Sequence, residues 1–229
     1  MKRNLIKKAA VCMAAVLCMG SFSPAGLAGV NVYADEISKD VIGQYVTQGY
    51  ENPEYGFKVQ LPDTYVLSAR ESTDELNTDE DKDVVEKSNE DGAYAYAQMN
   101  VADGVEVFTA DTDENSITIT LQTPGTGYDI WSEEETIAKN AAENNEEDMK
   151  NAASDGTEIT DFEANWEKFD FLGEKHARVL EKFQINGYPY YSEDIYMRSK
   201  DKKYMLLISI AGLDADEVTN AESYFTTME

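Results

Sequence analysis

The chain has 229 residues, 45 of them acidic and 19 basic, and carries a formal net charge of −26 with 42% hydrophobic residues. That length and composition suffice for a globular unit with a substantial core. A field of this sign repels nucleic acid and anionic surface polymers, so neither is expected as a partner, while cations are attracted.

The first 34 residues predict a cleaved secretory signal peptide. Lys2, Arg3, Lys7 and Lys8 form a positive start, residues 9–19 an apolar run, and Val32 and Ala34 flank a cut before Asp35. The cut would leave 15 basic residues against 45 acidic ones, a net charge of −30. Both cysteines, Cys12 and Cys18, fall within the removed segment. The mature chain then has no cysteine nucleophile, thiolate metal site or disulfide. No later stretch is apolar for long enough to span a membrane, so the expected location is secreted.

Residues 35–52 are polar and mixed, and predict a leader before a single domain over 53–229. From Tyr55 to Leu61, apolar and polar residues alternate with the period of a half-buried strand, and Pro62-Asp63 ends it. A short strand is expected over 65–69, then a solvated acidic loop over 71–92 with a helical turn near Val84 and Val85. Strands are predicted over 93–101, 105–110 and 117–121, the last two joined by a charged hairpin loop.

Ser132-Glu133-Glu134-Glu135 has the form of a capping box, and a helix is expected from there to about Ala152. Its apolar stripe is thin, so it should lie on a sheet with most of its girth wet. Three strands follow, over 159–171, 174–185 and 188–198. Asn186-Gly187 between the last two is a strong hairpin signal, since a type I′ turn needs positive φ twice. Residues 204–210 are apolar on both faces, as in a central strand. Asp214 and Glu217 suggest a second capping box, opening a terminal helix over 217–228. The sum is an α+β fold: a central antiparallel sheet with helices packed on its faces.

This arrangement resembles the PsbP-like fold family over about residues 50–229. The resemblance is carried by Tyr55-Gly56-Phe57-Lys58-Val59-Gln60-Leu61-Pro62, by the mid-chain helix behind Ser132, and by the strand over 204–210 with the closing segment that contains Tyr224-Phe225. It implies an α/β/α sandwich and a non-enzymatic accessory or binding role, with no ligand motif to transfer.

The residues themselves offer little catalytic apparatus. His176 is the single histidine, expected on a solvated sheet face, and no Gly-x-Ser-x-Gly elbow is present to make a triad. A carboxylate-dependent hydrolase is an alternative, although no pair stands out among 45 acids. Asp79, Asp81, Asp83 and Glu90 hold positions 1, 3, 5 and 12 of a calcium loop. Val84 stands at position 6, where the sharp turn calls for glycine, so these are weak ligands in a second alternative, an extracellular calcium-responsive protein. Tyr188, Tyr190 and Tyr191 crowd one hairpin and are the expected contact surface for an unknown protein or carbohydrate partner. The leading expectation is a secreted, non-catalytic, acidic binding or accessory domain without a cofactor.

Overall fold

The computed structural model describes residues 37–70, 81–124, 130–152 and 157–228. The expected signal peptide and Asp79 lie outside them. Among the described residues, two antiparallel sheets and five α-helices make the fold mixed α+β.

The larger sheet has seven strands in the order β4-β5-β6-β10-β9-β8-β7. These are β4 (Val66–Ser68), β5 (Val105–Asp111), β6 (Asn115–Gln122), β7 (Ile159–Phe171), β8 (Glu174–Ile185), β9 (Tyr188–Arg198) and β10 (Met205–Gly212). β10 is the middle strand and is buried along its whole length, as its two-sided apolar run demands. The β8–β9 turn carries Asn186 at φ 52° and Gly187 at φ 79°, and the β7–β8 turn carries Leu172 at 55° and Gly173 at 84°. Both are the left-handed pairs that match the twist of the flanking strands.

The strand predicted from Tyr55 does not join that sheet. It is β3 (Phe57–Gln60) of a separate four-stranded sheet, ordered β1 (Gln44–Val46), β2 (Gly49–Asn52), β3, β11 (Phe225–Thr227). The expected single central sheet is therefore two. The expected polar leader is also structured where it is described. Short helix α1 (Lys39–Ile42), β1 and β2 bring Val41, Ile42, Tyr45 and Tyr50 into the core. Apolar residues spaced among Gly, Gln and Glu hid two short strands from a period count.

The small sheet lies on one face of the large one. Tyr50, Phe57, Val59 and Phe225 meet Phe108, Ile119, Ile208 and Ile210 in one cluster, with ring centroids 5.2 Å apart for Tyr50–Phe108 and 5.5 Å for Phe171–Phe225. Burying each such ring contributes roughly 2 kcal/mol. The sheet depends on Gly49, where any Cβ would overlap the Val59 carbonyl oxygen of the neighbouring strand. G49A should lower stability by about 2 kcal/mol. G92A, at an open position of α3 (Asp91–Asn100), should instead raise it by about 0.5–1 kcal/mol. Urea midpoints of the two variants, shifting in opposite directions, check both.

Three further expectations change. Residues 93–101 form most of α3 rather than a strand: Ala93, Ala97 and Val101 recur every four residues and are buried with Tyr94. The acidic stretch before it holds a full helix, α2 (Asp81–Ser88). The terminal helix is only α5 (Ala215–Asn220), followed by a 3₁₀ turn (Ala221–Tyr224), and the chain then extends as β11 to pair with β3. Phe225 is buried as predicted, but on a strand against Phe57 and Phe171.

On the other face of the large sheet lies α4 (Glu134–Ala152), packed over β7, β8 and β9. Its first bonds run from Thr136 and Ile137 amides to the Glu133 carbonyl, one residue later than the predicted box. Of the predicted second capping box the Asp214 half forms, its carboxylate accepting from the amides of Asp216 and Glu217, while the Glu217 carboxylate accepts from Asn115 of β6 instead.

Candidate functional site

The strand pair β8–β9 carries an unusual number of buried acids. Glu181, Glu193 and Asp194 are 4%, 0% and 6% exposed. Alternation assigns them to both faces. Glu193 faces the small sheet and α5, while Glu181 and Asp194 face α4, as cross-strand and diagonal neighbours of Ser192 and Val179.

On the first face, Arg178 of β8 gathers three carboxylates. Its guanidinium donates to Glu193 at 2.6 Å, to Glu222 of the 3₁₀ turn at 2.8 Å, and to Glu167 of β7 at 2.7 and 2.9 Å. Its flat side stacks over Phe169 at 4.3 Å. Burial, with Glu222 adding to it, pushes the Glu193 carboxyl up to about 7 against the opposing pull of Arg178. One Glu193 oxygen, Oε2, has no hydrogen-bond partner.

Glu222 also lines a groove of about 750 Å³ between the β7–β8 turn and the C-terminal segment. Phe171, Leu172 and Gly173 form one wall; Thr219, Asn220, Ser223 and Thr227 lie opposite. The outer edge of β11, unpaired among the described residues, borders it. The Met228 amide donates to the Gly56 carbonyl, which makes Thr226 and Lys58 the next hydrogen-bonded pair. The backbone N–H and C=O of Thr227 therefore point away from β3, toward the open edge.

On the α4 face the acids have neutral partners. Asn145 of α4 donates to Glu181 Oε1 at 2.5 Å, Ser192 Oγ donates to Oε2 at 3.0 Å, and Ser209 Oγ donates to Asp194 Oδ1 at 2.6 Å. Burial raises the Glu181 carboxyl, and burial together with nearby Glu181 pushes Asp194 up to about 7. Two apolar clusters flank this polar layer. Ile137, Ala138, Ala141, Val179 and Leu207 lie on one side, and Met149, Phe183, Ile185 and Tyr190 on the other.

The residues singled out from sequence are not brought together. Tyr188 is 51% exposed, whereas Tyr190 is buried and stacks on Phe183 at 5.5 Å, and Tyr191 packs toward the opposite core. A three-tyrosine surface does not exist on this hairpin. Asp81 and Asp83 stand in the first turn of α2, and Glu90 immediately precedes α3, so a helix occupies the stretch where a calcium loop would wind. Among the described residues no group of three His, Cys, Asp or Glu is placed to hold a metal ion, and the three carboxylates that meet at Arg178 surround its guanidinium. His176 is not solvated: its side chain is 10% exposed, with Nδ1 3.1 Å from a Glu134 carboxylate oxygen that belongs to α4. The sequence did carry one signal for the buried acids. Glu181 interrupts the inward row Ala177, Val179, Phe183, Ile185 at an inward position.

No helix of the described residues is long and apolar enough to cross a membrane. No family model and no curated protein matches this sequence. Among solved structures, the crystal structure of LpqN, involved in cell envelope biogenesis of Mycobacterium tuberculosis, aligns at 10% identity over 76% of this chain and 83% of that one. Its TM-score of 0.39 is too low for either the architecture or the role of that protein to transfer.

Proposed function

We propose that this chain is an exported, non-catalytic acidic domain that binds a partner protein, with the groove beside the β7–β8 turn as its contact surface. The observation that carries this reading is the unpaired edge of β11 along the groove, where backbone donors and acceptors of Thr227 stand beside exposed side chains of Asn220 and Ser223. Such an edge accepts an extended segment by strand addition. The predicted signal peptide supports export. The PsbP-like reading is supported by a large antiparallel sheet with α4 on one face and α5 on the other.

A carboxylate-dependent hydrolase would need two acids open to one substrate. Asp170 and Glu222 both border the groove, but each is held by a base, Asp170 by Lys175 at 2.7 Å and Glu222 by Arg178 at 2.8 Å, which favours binding over chemistry. The calcium-responsive alternative rests on net charge and on Asp81 and Asp83, which a helix spaces as surface acids.

The mature chain lacks cysteine, so single-cysteine variants place a crosslinker at one chosen point. Ser223→Cys in the groove and Tyr188→Cys on the β8–β9 hairpin, both carrying a photoreactive maleimide, would be added to the producing cells. A discrete adduct is expected from position 223 and not from 188. The reverse pattern moves the contact surface to the hairpin, and adducts from neither position reject the reading.

A further inference from the structure

We propose that Glu181 and Asp194 form a proton-operated catch beneath α4: with a proton on the pair the helix is held against the sheet, and with both groups ionised the helix lifts from it.

The two carboxyl groups are diagonal neighbours on adjacent strands, facing the same way under the same helix. Their hydrogen-bond partners are an amide and two hydroxyls, with no basic side chain. Two like charges in a dry layer repel each other and have lost water, so one must hold a proton or the layer must open.

The surrounding charges do not neutralise the pair. From α4, Glu134 faces His176 and the Arg198 amide, and Glu135 faces Lys168 of β7. Arg198 of β9 is engaged by Glu133 at 2.7 Å. From β5, Asp111 is a half-buried acid on this face, raised by its partial burial, and Tyr190 of β9 is pushed up to about 12. β10 contributes Ser209. On α4 itself Lys139 faces Glu143 and Lys150 faces Glu146, so among the described residues the bases of α4 and those beside it each have an acid other than the pair.

The helix is suited to partial release. It contains six acids and two bases, which bring further negative charge over the pair. Asn145, 1% exposed, ties its middle to Glu181, between the two apolar clusters. The sign follows from linkage. Burial raises both carboxyls in the folded state, so their stabilisation is complete below the unfolded range near 4 and is lost as pH rises, for Asp194 through about 7.

Amide hydrogen exchange on the full protein tests this. Exchange in residues 141–149 and in β2, corrected for intrinsic rate, is followed from pH 5.5 to 8.5. Opening of α4 is expected to increase at least tenfold between pH 6 and 8 while β2 stays protected. D194N and E181Q should each abolish most of that increase, and the increase should survive 0.5 M salt, since a buried pair is poorly screened. A flat wild-type profile overturns the proposal. So does a slope unchanged in both variants, or equal loss of protection in α4 and β2, which would be global unfolding driven by net charge.

Discussion

R70M is expected to lower the stability of this protein by about 3–4 kcal/mol, a large share of what a chain of this size possesses. Arg70 is 2% exposed and is the largest fully buried side chain. Among the described residues its partners are carbonyl oxygens and tyrosine rings. Nε and Nη2 donate to the Val107 carbonyl of β5, Nη1 to Ser88 at the end of α2, and Nη2 to Gly43 just after α1. Tyr94 and Tyr45 flank the guanidinium, 4.9 and 5.5 Å from ring centre to its carbon. The last carbonyls of a helix carry partial negative charge, which is why a cation is tolerated there. Methionine fills similar volume but takes the guanidinium donors from the Val107 and Ser88 carbonyls, while Gly43 keeps the Tyr94 hydroxyl. R70K should recover less than half of the loss, because an ammonium cannot span three separated carbonyls. Equilibrium urea denaturation measures it; a loss under 1 kcal/mol would show that the carbonyls are satisfied without the guanidinium.

R178M should be nearly as costly, but with a pH signature. Removing one partner of a buried ion pair typically costs about 3–5 kcal/mol, since the remaining charge is stranded. Here the stranded group is Glu193, already pushed up to about 7. Without Arg178 its carboxyl rises further, so at pH 5 it takes up a proton and most of the penalty disappears, while at pH 8 the full loss applies. R178M/E193Q should be more stable than R178M alone at pH 8 and equal to it at pH 5. Denaturation midpoints for both proteins at the two pH values provide the check. A penalty of equal size at both would mean that packing against Phe169, not charge, is what Arg178 supplies.

Legibility from sequence followed the strength of the local signal. The meander from β7 to β10 was readable because Asn186-Gly187 fixes a register and because residues 204–210 have no polar side long enough to be wet. α3 was misread because Ala93, Ala95 and Ala97 alternate with Tyr94 and Tyr96, a pattern that also satisfies a four-residue spacing. Alanine's helix propensity decides such a tie. β11 was hidden because it is three residues long and exists only through β3, more than 160 residues away in sequence. The buried acids escaped notice for a different reason. In a chain with 45 carboxylates, composition gives no hint of which ones are dry. The alternation of Ala177, Val179, Phe183 and Ile185 marks Glu181 as inward, and the register against β7 then separates it from the solvated Glu163 on the adjacent strand.

The pairing of β11 with β3 also governs when the molecule can finish folding. Its small sheet joins residues 44–60 to residues 225–227, so it can close only after the whole stretch between them has left a ribosome or an export channel. Closure over so long a separation is slow compared with hairpin formation. During that interval Phe57 and Phe171 lack the ring of Phe225, and the small sheet stays one strand short although its first three strands can already pair.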